Sequence, residues 1–190
     1  MANNLKRILV AGEGGQGVQA IASIIAKVAH GLNKKVVHLP NFGVEQRGGV
    51  SLAFIQISDE EIAFPKFQDA DIAVILAERA IPRIEEYLNA KPLIMFDNSI
   101  VSEAKLEGYK VEKIAIPATI MAKDRLIPRV FNMIILGALA EELGLKSKEV
   151  KKETLELFKA KIAKKGELKH FNIAALELGE KTIKRLKEKG

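Results

Sequence analysis

Apolar positions along the chain follow two patterns. In the first two thirds, short continuous apolar runs alternate with longer periodic segments; in the last third only periodic segments remain. Ile8-Leu-Val-Ala11 closes a first strand beginning at Lys6, and Val18–Leu32 carries Ala20, Ile21, Ile24, Ile25, Val28 and Ala29 at helical spacing. Lys35–Leu39 reads as a second strand. Val50–Ile57 alternates, with Ser51, Ala53, Ile55 and Ile57 on one face and Leu52, Phe54 and Gln56 on the other. After the polar turn Ser58–Glu61, Ile62–Phe67 reads as a short partner strand broken by Pro65. Ile72–Leu76 and Leu93–Phe96 are continuous apolar runs, as expected of strands buried on both faces. Between them, Ala80–Leu88 predicts a short helix with Pro82 in its first turn. Lys110–Ile116 predicts a further strand.

From Pro117 onward the pattern is helical. A short helix starts at Ala118 or Thr119 and runs to about Lys123. Arg129–Leu143 is apolar nearly all round and stops at Gly144. Ser147 is placed to cap a helix reaching about Lys164, which Lys165-Gly166 breaks, and Asn172 to cap the last. In that last helix Gly179 shares a face with Leu176, Ile183 and Leu186. A mid-helix glycine costs about 1 kcal/mol against Ala, so close approach of another backbone is expected there. Together these elements predict an α/β fold: a Rossmann-like, mostly parallel sheet with helices on both faces and a helical C-terminal third, in a single domain spanning 1–190.

The most informative local stretch is Gly12-Glu-Gly-Gly-Gln-Gly17, set between the first strand and the first helix. Gly12, Gly14 and Gly17 fit the dinucleotide fingerprint, and a helix opening from such a loop offers free N–H groups to an anion. A nicotinamide dinucleotide also requires an acidic residue at the end of the second strand. Here that strand runs into Pro40-Asn-Phe42, without a carboxylate, and the loop itself holds Glu13. The loop is therefore read as a ligand loop for something other than NAD, or as a tight βα turn that binds nothing.

Ligands of parallel sheets sit at the carboxyl ends of the strands. The loops expected there are Gly12–Gly17, Pro40–Gly49, Ala77-Glu78-Arg79 and Asp97-Asn98-Ser99. In the second, Arg47 offers a planar cation for a phosphate or carboxylate, Gly48 and Gly49 free the backbone to face an anion, and Glu45 and Gln46 add polar reach. A surface turn in which Glu45 pairs with Arg47 is the alternative. Asn132, alone among apolar neighbours, either holds the glycine loop or satisfies a nearby backbone group. No Ser-His-Asp order, acid/base carboxylate pair or lysine in a motif emerges, so no catalytic residue is assigned and a subunit is favoured over a complete enzyme.

Composition narrows this further. The chain of 190 residues has no cysteine, which excludes cysteine-ligated iron–sulfur clusters, cysteine zinc sites, disulfides and thiol nucleophiles. His30, His38 and His170 are far apart, so no metal site is expected. The net charge of +6 comes from lysines interleaved with glutamates at helical spacing and lacks interleaved aromatics, which argues against nucleic acid. No segment is long and apolar enough to span a membrane, and Met1–Arg7 contains no apolar signal core, so a cytoplasmic location is expected.

Four motifs in order carry a resemblance. Gly12-Glu-Gly-Gly-Gln-Gly17, Phe42-Gly-Val-Glu-Gln-Arg-Gly-Gly-Val-Ser51, Asn132-Met-Ile-Ile-Leu-Gly-Ala138 and Asn172-Ile-Ala-Ala-Leu-Glu-Leu-Gly179 resemble the gamma subunit, or gamma domain, of the 2-oxoacid:ferredoxin oxidoreductases. That family includes the pyruvate, 2-oxoglutarate, 2-oxoisovalerate and indolepyruvate enzymes. The resemblance implies a non-autonomous subunit of a complex that decarboxylates a 2-oxoacid on thiamine diphosphate, passes electrons through iron–sulfur clusters to ferredoxin, and usually makes an acyl-CoA. It implies alpha, beta and ferredoxin-like delta partner subunits, which hold the thiamine diphosphate and the clusters, and coenzyme A at or near this chain. By carry-over, Gly12, Gly14, Gly15, Gln16, Gly17, Glu45, Gln46, Arg47, Gly48 and Gly49 form the cofactor-binding site, with Asn132 as a further candidate. Glu13 departs from the resemblance, since relatives more often carry an apolar or basic residue there, and an acid at that corner opposes direct phosphate contact. The competing readings are a stand-alone nucleotide-binding protein and a non-enzymatic interaction domain of Rossmann type.

Overall fold

The computed structural model describes residues 5–42, 49–159 and 166–188, without the side chain of Phe42. They fall in two compact units, Met1–Ala115 and Ile116–Gly190.

The first unit is built on a six-stranded sheet of order β2-β3-β1-β4-β5-β6: β1 Lys6–Glu13, β2 Lys35–Phe42, β3 Val50–Ser58, β4 Ile72–Ile75, β5 Leu93–Phe96 and β6 Lys113–Ala115. β4, β5 and β6 continue parallel from β1. β3 runs antiparallel to both β1 and β2, with Gly12 opposite Ser51 and Leu39 opposite Phe54, so β3 alone is reversed. The predicted mostly parallel α/β sheet is thus present. The second strand extends three residues beyond Leu39 and includes Pro40. Proline is tolerated there because β2 is the edge of the sheet, where an N–H can go unpaired.

One face of the sheet packs on helix α1, Val18–Gly31, whose buried side is Val18, Ile21, Ala22, Ile24, Ile25, Ala26, Val28 and Ala29. The other face holds a core of Leu9, Phe54, Ile75, Ile94 and Phe96 under Phe67, Ile84, Tyr87 and Leu106. Phe54, Phe67 and Tyr87 meet edge to face, with ring centroids 5.1–6.4 Å apart. Short 3-10 helices at Glu78–Arg83, Glu85–Tyr87 and Glu103–Leu106 cover this face, and the first two occupy the stretch expected as a short helix over Ala80–Leu88. Pro82 lies within the first of them, where its missing N–H removes a helical hydrogen bond. Ile62–Phe67 is not a strand; its backbone is irregular across Pro65.

The second unit holds α2 Ala118–Arg125, α3 Phe131–Glu142, α4 Ser147–Leu157 and α5 Glu167–Lys187. Gly144 ends α3 as expected: its N–H bonds Glu141 O at 3.0 Å and the Leu145 N–H bonds Ala140 O at 2.9 Å, a Schellman closure. Two expected caps are not caps. Ser147 is the first residue of α4, the cap position falls on Lys146, and the Ser147 side chain bonds Glu180. Asn172 lies inside α5, which starts five residues earlier at Glu167, and is 4% exposed. The close approach expected at Gly179 is present: an added Cβ would sit 1.9 Å from Ile134 O. Gly137 makes the reciprocal contact, 2.1 Å from Leu176 O, so α3 and α5 cross with their backbones touching.

Candidate functional site

The carboxyl ends of β1, β2, β4, β5 and β6 share one edge of the sheet, and the reversal of β3 brings its first residues, Val50 and Ser51, to the same edge. Gly12–Gly17, Gly49, Ala77–Arg79 and Asp97–Ser99 therefore all belong to it. Gly14 N–H donates to Gly49 O at 2.9 Å, tying the glycine loop to the end of the second loop. Glu45, Gln46, Arg47 and Gly48 lie outside the described residues.

The glycine loop is largely self-satisfied. Glu13 N–H donates to Gln16 Oε1 at 2.7 Å, and Gln16 N–H to Glu13 O at 3.1 Å. Gly12 makes room for this: a Cβ there would stand 2.7 Å from Gln16 Oε1 and 3.0 Å from Leu76 Cβ and Val18 Cγ2. Gly15, at φ +96°, and Gly17, at φ +86° as the N-cap of α1, take left-handed conformations that only glycine adopts without strain. Three loop amides, those of Glu13, Gly14 and Gln16, are consequently spent inside the protein. What remains for an anion is the first turn of α1, whose N–H groups have no partner within the helix.

Side chains complete the edge. Arg79 Nη1 is 3.7 Å from Glu13 Oε1, so the acid that looked out of place in the loop has a basic neighbour. Arg79 is 62% exposed, and the pair is a weak one by itself. It borders an open depression of about 380 Å³ lined by Glu78, Arg79, Ile81, Pro82, Glu85 and Lys105. Tyr109 donates to Glu85 Oε1 at 3.0 Å; burial first, then Glu85, pushes its pKa up to about 12, so it stays a donor. Asp97 is fully buried at the end of β5 and accepts from Ser99 N–H at 3.0 Å, which shapes that turn. Gln19 was not singled out by the sequence, although a glutamine in the first turn of an apolar helix is a visible signal. Its Nε2 donates to Ser51 Oγ at 3.1 Å and Leu52 O at 2.8 Å, fastening α1 to β3. Asn132 is placed in the second unit, half-buried in the first turn of α3. Among the described residues no three His, Asp or Glu side chains gather as a metal would need, and no helix is long and apolar enough to cross a membrane.

In a dinucleotide fold the second strand lies beside the first and carries the ribose-binding acid. Here the reversed β3 occupies that place. Fold and site define a glycine-loop α/β protein that departs from the dinucleotide-binding arrangement.

The family model described as pyruvate ferredoxin/flavodoxin oxidoreductase matches residues 7–182, and the chain belongs to that family. It is 35% identical over 147 residues to the 2-oxoglutarate synthase subunit KorC of Methanocaldococcus jannaschii, covering 76% of this chain and 78% of that one. The keto/oxoacid ferredoxin oxidoreductase gamma subunit of Geobacter sulfurreducens shares the fold, at 24% identity and TM-score 0.74, over 94% of this chain and 98% of that one. So does the 2-oxoglutarate:ferredoxin oxidoreductase of Magnetococcus marinus with 2-oxoglutarate, coenzyme A and succinyl-CoA bound, at 24% identity and TM-score 0.83 over 95% of this chain but 31% of that one.

Proposed function

We propose that this chain is the gamma subunit of a thiamine-diphosphate-dependent 2-oxoacid:ferredoxin oxidoreductase and that its glycine-loop edge contributes to coenzyme A binding. The observation that carries the reading is the bond from Gly14 N–H to Gly49 O, which joins two of the family-like motifs at one sheet edge. The residues fit an anionic ligand in part. The first turn of α1 and Arg79 supply positive potential, and Arg79 offsets Glu13. Arg47, two residues before Gly49 in the sequence, is assigned the bidentate cation. The spent loop amides mean that phosphate would meet helix N–H groups and arginines rather than a full backbone cradle.

Partner subunits, alpha, beta and a ferredoxin-like delta, supply the thiamine diphosphate that decarboxylates the 2-oxoacid and the clusters that accept electrons. This chain has no cysteine with which to hold a cluster. Its own contribution is to bind and orient the acyl acceptor against the catalytic subunits.

The test is to purify the native complex through this chain and assay 2-oxoglutarate, pyruvate and 2-oxoisovalerate with and without coenzyme A. Turnover that requires coenzyme A and ferredoxin in the complex, with neither iron nor turnover in the isolated chain, is expected. A chain that purifies alone, or binds NADH at micromolar concentration by calorimetry, would contradict the proposal.

A further inference from the structure

Among the described residues four large hydrophobic side chains are exposed, and Phe64, at 77%, is the most exposed of them. It is not a loose loop tip. Its carbonyl accepts from Gln56 Nε2 at 2.7 Å, and Gln56 is 3% exposed. Pro65 restricts the Phe64 backbone to extended conformations. Three residues on, Phe67 is buried against Phe54, with ring centroids 5.4 Å apart, and Lys66 Nζ stands 5.3 Å and 5.2 Å from the Phe54 and Tyr87 rings. The segment is therefore anchored on both sides of a ring that faces outward.

The ring does not stand alone. Gln56 lies opposite Val37 and Phe54 opposite Leu39, so Val37 and Leu39 share the face from which Gln56 reaches Phe64. Both are half-buried on the edge strand β2, and Leu39 packs with one side against the core around Phe54. The polar turn after β3 borders them with the ion pairs Lys34–Asp59 and Lys35–Glu61. An exposed aromatic ring on an anchored backbone, apolar positions on the adjoining strand and a charged border are the anatomy of a protein interface.

We infer that Phe64, with Val37 and Leu39 on the sheet face from which Gln56 reaches it, is an anchor that inserts into an apolar pocket on the catalytic subunit of the same complex. The inference rests on the subunit reading above. The occupant follows from the Magnetococcus structure, in which this fold forms 31% of a longer chain. A domain that is covalently continuous with further protein in one case and separate in another must, when separate, hold that neighbour through a permanent surface, and permanent surfaces are the apolar ones. The partner is the subunit equivalent to the remainder of that longer chain. Preorganisation matters here, because a backbone already anchored at Phe64 loses little freedom on docking.

The test is to co-express the chain with that subunit and measure the dissociation constant of the purified pair for wild type, Phe64→Asp and Phe64→Leu, together with the melting temperature and sedimentation of each isolated chain. Phe64→Asp is expected to weaken the pair about thirtyfold or more, Phe64→Leu about fivefold, with melting unchanged in both. Undiminished pairing in Phe64→Asp would overturn the inference while leaving the subunit reading intact. Self-association of the wild-type chain that Phe64→Asp abolishes would also overturn it, by assigning the surface to a second copy. A fall in melting temperature matching the loss of pairing would make Phe64 structural. Failure of the wild-type chain to pair at all would remove the subunit reading itself.

Discussion

The two units use glycine for opposite reasons. In the sheet unit, Gly15 stands at φ +96° with nothing within 4 Å of where a Cβ would lie. In the helical unit, Gly137 and Gly179 have ordinary helical backbones, but a Cβ would fall 2.1 Å and 1.9 Å from the carbonyl oxygens of Leu176 and Ile134. The first glycine is demanded by a dihedral angle and the second pair by a distance. A dihedral demand is local and leaves the loop free to serve a ligand. A distance demand is shared by two elements, so violating it moves a whole helix.

The difference predicts the largest effect in the molecule. Gly179→Ala gains about 1 kcal/mol of helix propensity. Against this, a methyl group meets a backbone carbonyl that cannot rotate away, and overpacking of this kind costs about 3 kcal/mol. The clash wins. Gly137→Ala should behave alike, and the double variant should cost less than the sum, since one separation of α3 from α5 relieves both contacts. Urea denaturation of the isolated chain measures this; stability equal to wild type would mean that the crossing is looser than described.

Arg47 gives the opposite signature. Arg47→Ala should leave melting of the isolated chain unchanged and raise the coenzyme A concentration needed by the complex, or weaken assembly, by about ten- to hundredfold, the worth of a charge-assisted bond of about 1.5–3 kcal/mol. Arg47→Lys should restore only part, because a point charge lacks the planar fork. A lowered melting temperature would place Arg47 with the structural glycines.

Gly15→Ala should come next, costing about 1–2 kcal/mol of backbone strain with no steric term. Gly15→Asn should cost less, since asparagine tolerates the left-handed region. If Gly15→Ala proved as damaging as Gly179→Ala, the distinction between dihedral and distance would fail. Smaller still is Glu13→Gln. It removes an exposed ion pair worth under about 1 kcal/mol to stability, yet leaves Arg79 without its acidic neighbour in the loop, so coenzyme A use in the complex should improve slightly.

The same contrast explains what the sequence could reveal. Dihedral demands leave local marks: the glycines of the loop, Gly144 after α3, and the apolar runs of β1, β4 and β5 were all legible. Distance demands are legible only by what they make odd. Gly179 stood out in a good helical pattern, whereas Gly137, flanked by Leu136 and Ala138, did not. Sheet order was not legible, because nothing in Val50–Ser58 states that it inserts between β2 and β1. Pro40 argued for a loop until the strand proved to be an edge. Asn172 imitated a cap because asparagine before an apolar run is the usual sign of a helix start, and burial within α5 overrode that sign. At the site, the composition of the loops was legible. The pairing of Glu13 with Arg79 and the spending of loop amides on Gln16 and Gly49 were not, since both depend on elements meeting in space.

Acid should separate the two units, through the smallest effects expected. His38 lies on β2 opposite Ile55, and its Nε2 is buried with no partner among the described residues. Burial lowers its pKa from the ordinary 6.5, since an imidazolium there would have to desolvate a second N–H. The unfolded chain binds a proton near pH 6.5 that the folded chain still refuses. This stabilising preference for the neutral form is therefore complete above 6.5 and is lost as pH falls below it toward the folded pKa. In the helical unit Glu180 is shifted down from 4.5, first by its hydrogen bond from Lys184 at 2.7 Å. Its contribution is present above 4.5 and disappears only as pH drops through the lower folded value. Between pH 6.5 and 4.5, then, His38 weakens the sheet unit while Glu180 leaves the helical unit unaffected. Hydrogen exchange at pH 7.5 and 5.5 should show faster opening of β2 and β3 at the lower pH, after correction for intrinsic exchange rates, and unchanged protection across α5. His38→Gln should flatten the difference in the sheet. If protection of β2 and β3 falls equally in His38→Gln, another group in the sheet unit carries the acid sensitivity.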